Sequence, residues 1–234
     1  MNAKQSAAEA AVRYVQSGMT LGIGTGSTAQ YAIEAIGRRV REERLIVRGV
    51  PTSERSRELA LENGIPLVEA HELDAVDLTI DGADEVDPSL DLIKGGGGAL
   101  VREKIVAAMS RRMVVICDGS KPCAVLGAFP LPVAVMPFGW EVTRRRVEAV
   151  LGPAHLRMRS PGALEPFVTD DGLFVLDVRA GAIPNPAETE EEVKRITGVA
   201  EVGLFVGLAT SALVGRDGGH VEELLPRRAA VPSA

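Results

Sequence analysis

Leu21-Gly22-Ile23-Gly24-Thr25-Gly26-Ser27-Thr28 is the stretch on which the fold turns. An apolar strand runs into a glycine-rich turn, and Tyr31, Ala32, Ala35 and Ile36 then recur at the spacing of one buried helical face, from about Ser27 to Arg41. Strand, tight turn and helix in that order open a β-α-β unit. The glycines let backbone N–H groups come close to an anion, and the helix behind them adds its positive end and unpaired donors. Thr25, Ser27 and Thr28 add hydroxyls. This is not a dinucleotide fingerprint. With Gly22 and Gly24 as its first pair, the third glycine would fall at Ser27, and the second strand ends in Val50-Pro51-Thr52 with no acid for a ribose hydroxyl. Nor is it a P-loop, since no lysine precedes Ser27. On this motif alone, a capped turn and an anion cradle both stay open.

Outward from that stretch the alternation continues. A helix over about Ala3 to Gln16 precedes it, and a strand (Leu45 to Val50), a helix capped by Ser53, a strand (Val76 to Ile80), a helix (Ala99 to Arg111) and a strand (Met113 to Cys117) follow. Such alternation predicts a parallel α/β sheet. After Leu126, Pro130, Pro132 and Pro137 predict a connector plus an edge strand over Phe129 to Trp140. A helix (Glu141 to Leu151), a hairpin at Asp170-Asp171-Gly172, a helix (Glu188 to Thr197) and a strand (Val202 to Val206) approximate the split β-α-β of ferredoxin-like modules. Ala209 to Val214 then returns to the first sheet, making 129–206 an insertion into a unit of 1–128 and 207–234. The Pro/Ala/Arg-rich tail from Pro226 to Ala234 is expected to fray.

Composition narrows the function. Of 234 residues, 46% are hydrophobic and 25% charged, as in soluble globular proteins. A net charge of −6 argues against nucleic acid or an anionic membrane as main partner, but a locally basic pocket can still hold a small anion. Aromatic residues, at 3%, are too few for base stacking. No run approaches the ~20 apolar residues of a membrane span, and the charged, amphipathic start carries no signal-peptide core. Cys117 and Cys123 fit neither a Cys-x-x-Cys metal spacing nor a disulfide scaffold and read as reduced thiols, so the expected address is the cytoplasm.

Three further motifs follow strands. Asp81-Gly82-Ala83-Asp84-Glu85 sets two carboxylates three apart across a glycine turn, where they can divide acid and base roles. Alone, it favours the plainer reading of ordinary turn chemistry. Lys94-Gly95-Gly96-Gly97-Gly98 opens the helix bearing Arg102, Glu103 and Lys104. Four glycines are costly in backbone entropy, and donors along them suit an oxyanion with Lys94 supplying charge; a flexible loop is the alternative. By itself Glu103 reads as a solvated acid in a first helical turn, beside a buried stripe of Val101, Ile105 and Ala108. In Asp118-Gly119-Ser120-Lys121-Pro122, Lys121 is as readily a surface lysine as a ligand. What joins the motifs is their position at the carboxyl ends of parallel strands, where open α/β sheets bind ligands. None contains a histidine; His71, His155 and His220 lie elsewhere, which disfavours a Ser-His-Asp triad, a His-based metal site and a His-driven enediol mechanism.

On these residues the chain closely resembles the type A ribose-5-phosphate isomerases. The match comprises Gly24 to Thr28, Asp81 to Glu85, Lys94 to Gly97 leading to Arg102-Glu103-Lys104, Ser120-Lys121, Phe129-Pro130-Leu131-Pro132-Val133 and Gly203-Leu204-Phe205, in family order. The resemblance implies an α/β fold: a Rossmann-like parallel-sheet domain with an inserted, smaller ferredoxin-like α+β domain, assembled as a homodimer or homotetramer. It implies interconversion of ribose 5-phosphate and ribulose 5-phosphate without cofactor or metal. By position, Glu103 would be the proton acceptor, while Asp81, Asp84 and Lys94 would open the ring and polarise the carbonyl. Substrate contacts would come from Thr25, Gly26, Ser27, Thr28, Asp81, Gly82, Ala83, Asp84, Lys94, Gly95, Gly96, Gly97 and Lys121. Gly98 stands where other members can have alanine, with no functional consequence expected. Other readings are weaker. A sugar-phosphate hydrolase or deaminase would recruit a histidine, and a dehydrogenase lacks its glycine and acid. A regulator's sensor half would need a DNA-reading domain, for which the first helix leaves no room.

Overall fold

The structure is a computed structural model and describes residues 2–227. In chain order the first half forms α1 (Ala3–Val12), β1 (Thr20–Ile23), α2 (Ser27–Glu42), β2 (Arg48–Pro51), α3 (Glu54–Glu62) and β3 (Leu78–Asp81). Two short strands, β4 (Glu85–Val86) and β5 (Leu92–Ile93), then lead to α4 (Leu100–Ala108) and β6 (Met113–Asp118). The second half forms β7 (Leu131–Val135), α5 (Trp140–Leu151), β8 (Ala154–Leu156), β9 (Phe174–Val178), α6 (Pro186–Lys194) and β10 (Val199–Val202). It closes with β11 (Leu204–Phe205), β12 (Ser211–Gly215) and β13 (Val221–Leu224). No helix among the described residues is long and apolar enough to cross a membrane.

The main sheet has the order β13-β12-β6-β3-β1-β2, parallel throughout except for β13. Its central strands are buried on both faces, as continuous apolar runs such as Met113-Val114-Val115-Ile116 require. Ala7, Ala8, Ala11, Ile33 and Ile36 of α1 and α2 cover one face with small and branched side chains. Leu100 and Ala107 of α4 pack with Met113, Val115 and Val214 in a second core. From β1 the chain moves outward to β2, then crosses back to lay β3 on the other side of β1. The connections leaving β1 and β3 therefore diverge, opening a crevice at their carboxyl ends.

A second sheet, β10-β7-β9-β8, is antiparallel throughout. With chain order β7-α5-β8-β9-α6-β10, this is the ferredoxin-like arrangement. The return of 209–214 is realised as β12, parallel to β6. Two expectations are corrected. The proline-rich segment makes an interior strand, since β7 lies between β10 and β9. Pro132 is tolerated there because its carbonyl accepts from the Gly203 amide at 2.7 Å, while the Gly203 carbonyl that would call for a donor in return accepts from the Lys94 amide at 2.9 Å. The single strand expected over 202–206 breaks at Gly203; β11 joins β5 and β4 in a small third sheet between the two larger ones. The tail expected to fray lies outside the described residues from 228 onward.

Candidate active site

At the tip of β3, Asp81 Oδ1 accepts the amides of Thr25 (3.0 Å) and Gly82 (2.7 Å), joining the two loops of the crevice. Gly24 permits this: a Cβ there would lie 2.3 Å from Asp81 Oδ1. The Thr25 hydroxyl is held by Thr52 (2.7 Å) and Ser53 (2.8 Å) at the end of β2, so it pins neighbouring strand tips and the cradle's hydroxyls reduce to Ser27 and Thr28. Ser53 also caps α3, as its sequence position predicts, reciprocating with Ser56.

Beneath the loops lies a buried charge cluster. Lys94 Nζ stands 3.0 Å from Asp81 Oδ2 and 3.5 Å from Glu103 Oε2, donates to the Gly82 carbonyl at 2.6 Å, and faces the Phe205 ring at 5.4 Å. The reading of Glu103 as a solvated acid is overturned. The Glu103 side chain is 5% exposed, because the glycine loop and Lys94 cover that side of α4. The helix correspondingly turns Ile105 outward, at 55% exposure. Burial pushes the Glu103 carboxyl up to about 8; the Lys94 charge opposes this, and Asp81 and Asp84 add to it. Burial acts to lower Lys94, but Asp81 and Glu103 outweigh it and hold the ammonium above its ordinary range. Asp81 Oδ2 lies at ion-pair distance from Lys94 yet, like Glu103 Oε2, accepts no well-angled hydrogen bond from a described residue. Of the two, only Glu103 lines the cleft, so its carboxylate is the one within reach of a ligand hydroxyl.

Thr25, Gly26, Ser27, Thr28, Gly82, Ala83, Asp84, Lys94, Gly95, Gly96, Gly97 and Lys121 line one cleft of about 130 Å³, and Glu103 opens into it. Asp81 is fully buried below. Asp84 is oriented by the Gly96 amide, 2.8 Å from its Oδ2. Glu85 is directed elsewhere and anchors the connector to β7 by accepting the Gly127 (2.6 Å) and Phe129 (2.5 Å) amides. One lining residue escaped the sequence reading. Lys4, in the first turn of α1, donates to Ser27 Oγ at 2.9 Å and brings a third lysine to the cleft. A lone lysine in an alanine-rich helix gives no local sign of this.

Such a crevice can grip an anionic, oxygen-rich small molecule at its lysine and hydroxyl end and move a proton along it with a carboxyl that titrates near neutrality. A base, a cation and an anion grip in one crevice are what an aldose–ketose isomerase requires. Within that class, the chain belongs to the ribose 5-phosphate isomerase A (phosphoriboisomerase A) family, whose sequence profile matches residues 48–219. It is 46% identical over 223 residues to the ribose-5-phosphate isomerase A of Bacillus mycoides, covering 95% of this chain and 99% of that one. Among solved structures, ribose 5-phosphate isomerase A from Methanocaldococcus jannaschii superposes with a TM-score of 0.89 at 41% identity, over 95% of this chain and 97% of the other. A D-ribose-5-phosphate isomerase in complex with phospho-erythronic acid gives a TM-score of 0.91 at 36% identity, over 96% and 100%.

Proposed function

We propose that this chain interconverts D-ribose 5-phosphate and D-ribulose 5-phosphate, an isomerisation of the pentose phosphate pathway, through a cis-enediolate. The carrying observation is the buried Asp81–Lys94–Glu103 cluster at the floor of a cleft whose rim holds Ser27, Thr28, Lys4 and Lys121. The phosphate sits at that rim, on the amino end of α2, so binding energy from the non-reacting end holds the sugar in place. Glu103, as carboxylate, takes the proton from C2 of the open-chain aldose and returns it to C1; O1 gains a proton as the C2 hydroxyl loses one. A base whose pKa lies near the working pH both accepts and returns a proton readily. The Lys94 ammonium stabilises the charge that develops on the two oxygens. Asp81 and Asp84, beside the cleft, serve ring opening and proton exchange on those oxygens.

We further read 129–206 as a unit inserted between 1–128 and 207–234, because β7 to β10 form a sheet of their own while β12 rejoins the first. Assembly as a homodimer or homotetramer is what the family resemblance implies for this chain. A cytoplasmic location is supported by two free thiols.

The test follows ribulose 5-phosphate formed from ribose 5-phosphate by purified protein, with chelator present and no cofactor added. Glu103→Gln is expected to lower kcat by about 10²- to 10⁴-fold while phosphosugar binding stays near that of the parent. Substantial retained turnover would remove Glu103 from the mechanism.

A further inference from the structure

The glycine loop at 94–98 is held from behind by the inserted unit. Arg157, directly after β8, is 15% exposed. Its Nε donates to Asp177 Oδ2 at 2.9 Å and its second nitrogen pairs with Asp177 Oδ1, which locks the guanidinium plane. The remaining nitrogen donates to two successive loop carbonyls, Gly95 O at 2.9 Å and Gly96 O at 3.1 Å. In a trans peptide the N–H points opposite to the preceding carbonyl. With the Gly95 carbonyl turned to Arg157, the Gly96 N–H must point away from it, and it meets Asp84 Oδ2 at 2.8 Å. With the Gly96 carbonyl turned the same way, the Gly97 N–H faces the opposite, cleft side, where Gly97 is a lining residue. A glycine run has no side chains to choose among peptide orientations; within the loop the Gly98 amide reaches the Gly95 carbonyl at 2.9 Å, and Arg157 holds that carbonyl and the Gly96 carbonyl together from outside.

We infer that Arg157 is a positioning residue for the isomerisation: from the inserted unit it fixes the two peptide planes that orient Asp84 and aim the Gly97 N–H at the sugar. The inference rests on the isomerase reading. Arg157 itself does not line the cleft, so it acts through the loop. Losing it leaves the phosphate rim intact and blurs the geometry at the reacting end, which lowers kcat rather than raising KM.

Arg157→Ala is expected to reduce kcat on the order of 10- to 100-fold, with KM within about threefold of the parent and a melting temperature several degrees lower, because Asp177 loses its cation. Millimolar guanidinium chloride should restore several-fold of the lost kcat in the variant and none in the parent. A folded variant with kcat within about twofold of the parent, a rise in KM alone, or a loss that guanidinium does not relieve would each assign Arg157 to the fold and overturn the inference. Should Arg157→Ala not fold, Asp177→Asn carries the test. Freeing the guanidinium plane lowers kcat several-fold at unchanged KM and melting temperature, and parental kcat counts against the inference. A parent inactive on ribose 5-phosphate sinks the isomerase reading and this inference together, whereas an active parent matched by its variants sinks this inference alone.

Discussion

Glu103 ionises near 8 in the folded chain against an ordinary value of 4.5, and burial is the first cause. Between those two values the native state holds a proton that the unfolded chain has released, so this residue makes stability fall as pH rises. Above about 8 the charge is present in both states and its effect is constant. Glu103→Gln keeps the shape of the neutral acid and removes that slope. Relative to the parent, its melting temperature is therefore expected to rise with pH from about 5 to 8 and then level off, a few degrees in favour of the variant at the upper end. Thermal melts of both proteins across pH 5 to 9 measure this. A difference that ignores pH would mean that Lys94 already compensates the charge in full. The variant expected to lose turnover is thus the one expected to melt later in alkali, as the proposed role of a buried carboxylate as base predicts.

At the scale of single elements, the loop after β5 shows what a sequence discloses and what it hides. Glycine turns, Ser/Thr caps and the strand–helix rhythm are local signals, which is why β1 to α2, the capping of α3 by Ser53 and the hairpin at 170–172 could be read directly. Burial of a charged residue depends on what folds over it. Glu103 looked solvated because nothing within its own helix shows that residues 94–98 and Lys94 cover it. Pro132 looked like an edge residue because only the tertiary fold diverts the Gly203 carbonyl to Lys94. Gly98 looked replaceable by alanine, yet it sits at φ +84°, and a Cβ there would come within 2.3 Å of the Phe167 ring of the inserted unit. Left-handed geometry costs a non-glycine residue about 1–2 kcal/mol, and displacing the ring adds to it. Gly98→Ala is expected to melt roughly 4–8 °C lower and to lose part of its kcat, because the loop that ends there carries the cleft's lining glycines. Melting indistinguishable from the parent would show that Phe167 yields freely.

Across the whole molecule, α4 is tied to the inserted unit on both sides of Glu103. Arg102 pairs with Glu54 (2.7 Å) and with Asp171 (2.9 Å) at the hairpin tip, while Asp170 accepts the Glu54 amide at 2.8 Å. Lys104, 13% exposed, reaches the opposite flank, where it donates to Glu190 Oε1 (2.5 Å), Glu201 Oε1 (3.0 Å) and the Val202 carbonyl (2.8 Å). With β11 paired to β5 between the two sheets, these contacts make separate unfolding of either unit expose paired charges and a shared apolar seam. One cooperative transition is expected in calorimetry, with calorimetric and van't Hoff enthalpies equal. Lys104→Met removes one partner from a part-buried network and leaves Glu190 without its cation; Glu201 keeps Lys194 at 2.6 Å. The loss should be about 2–3 kcal/mol, seen as a fall of roughly 5–10 °C in a transition that stays single. Two resolved transitions in the parent would mean that the units fold independently and that the ties across α4 are too weak to couple them. A single transition unmoved by the substitution would place the coupling in the β11–β5 seam instead.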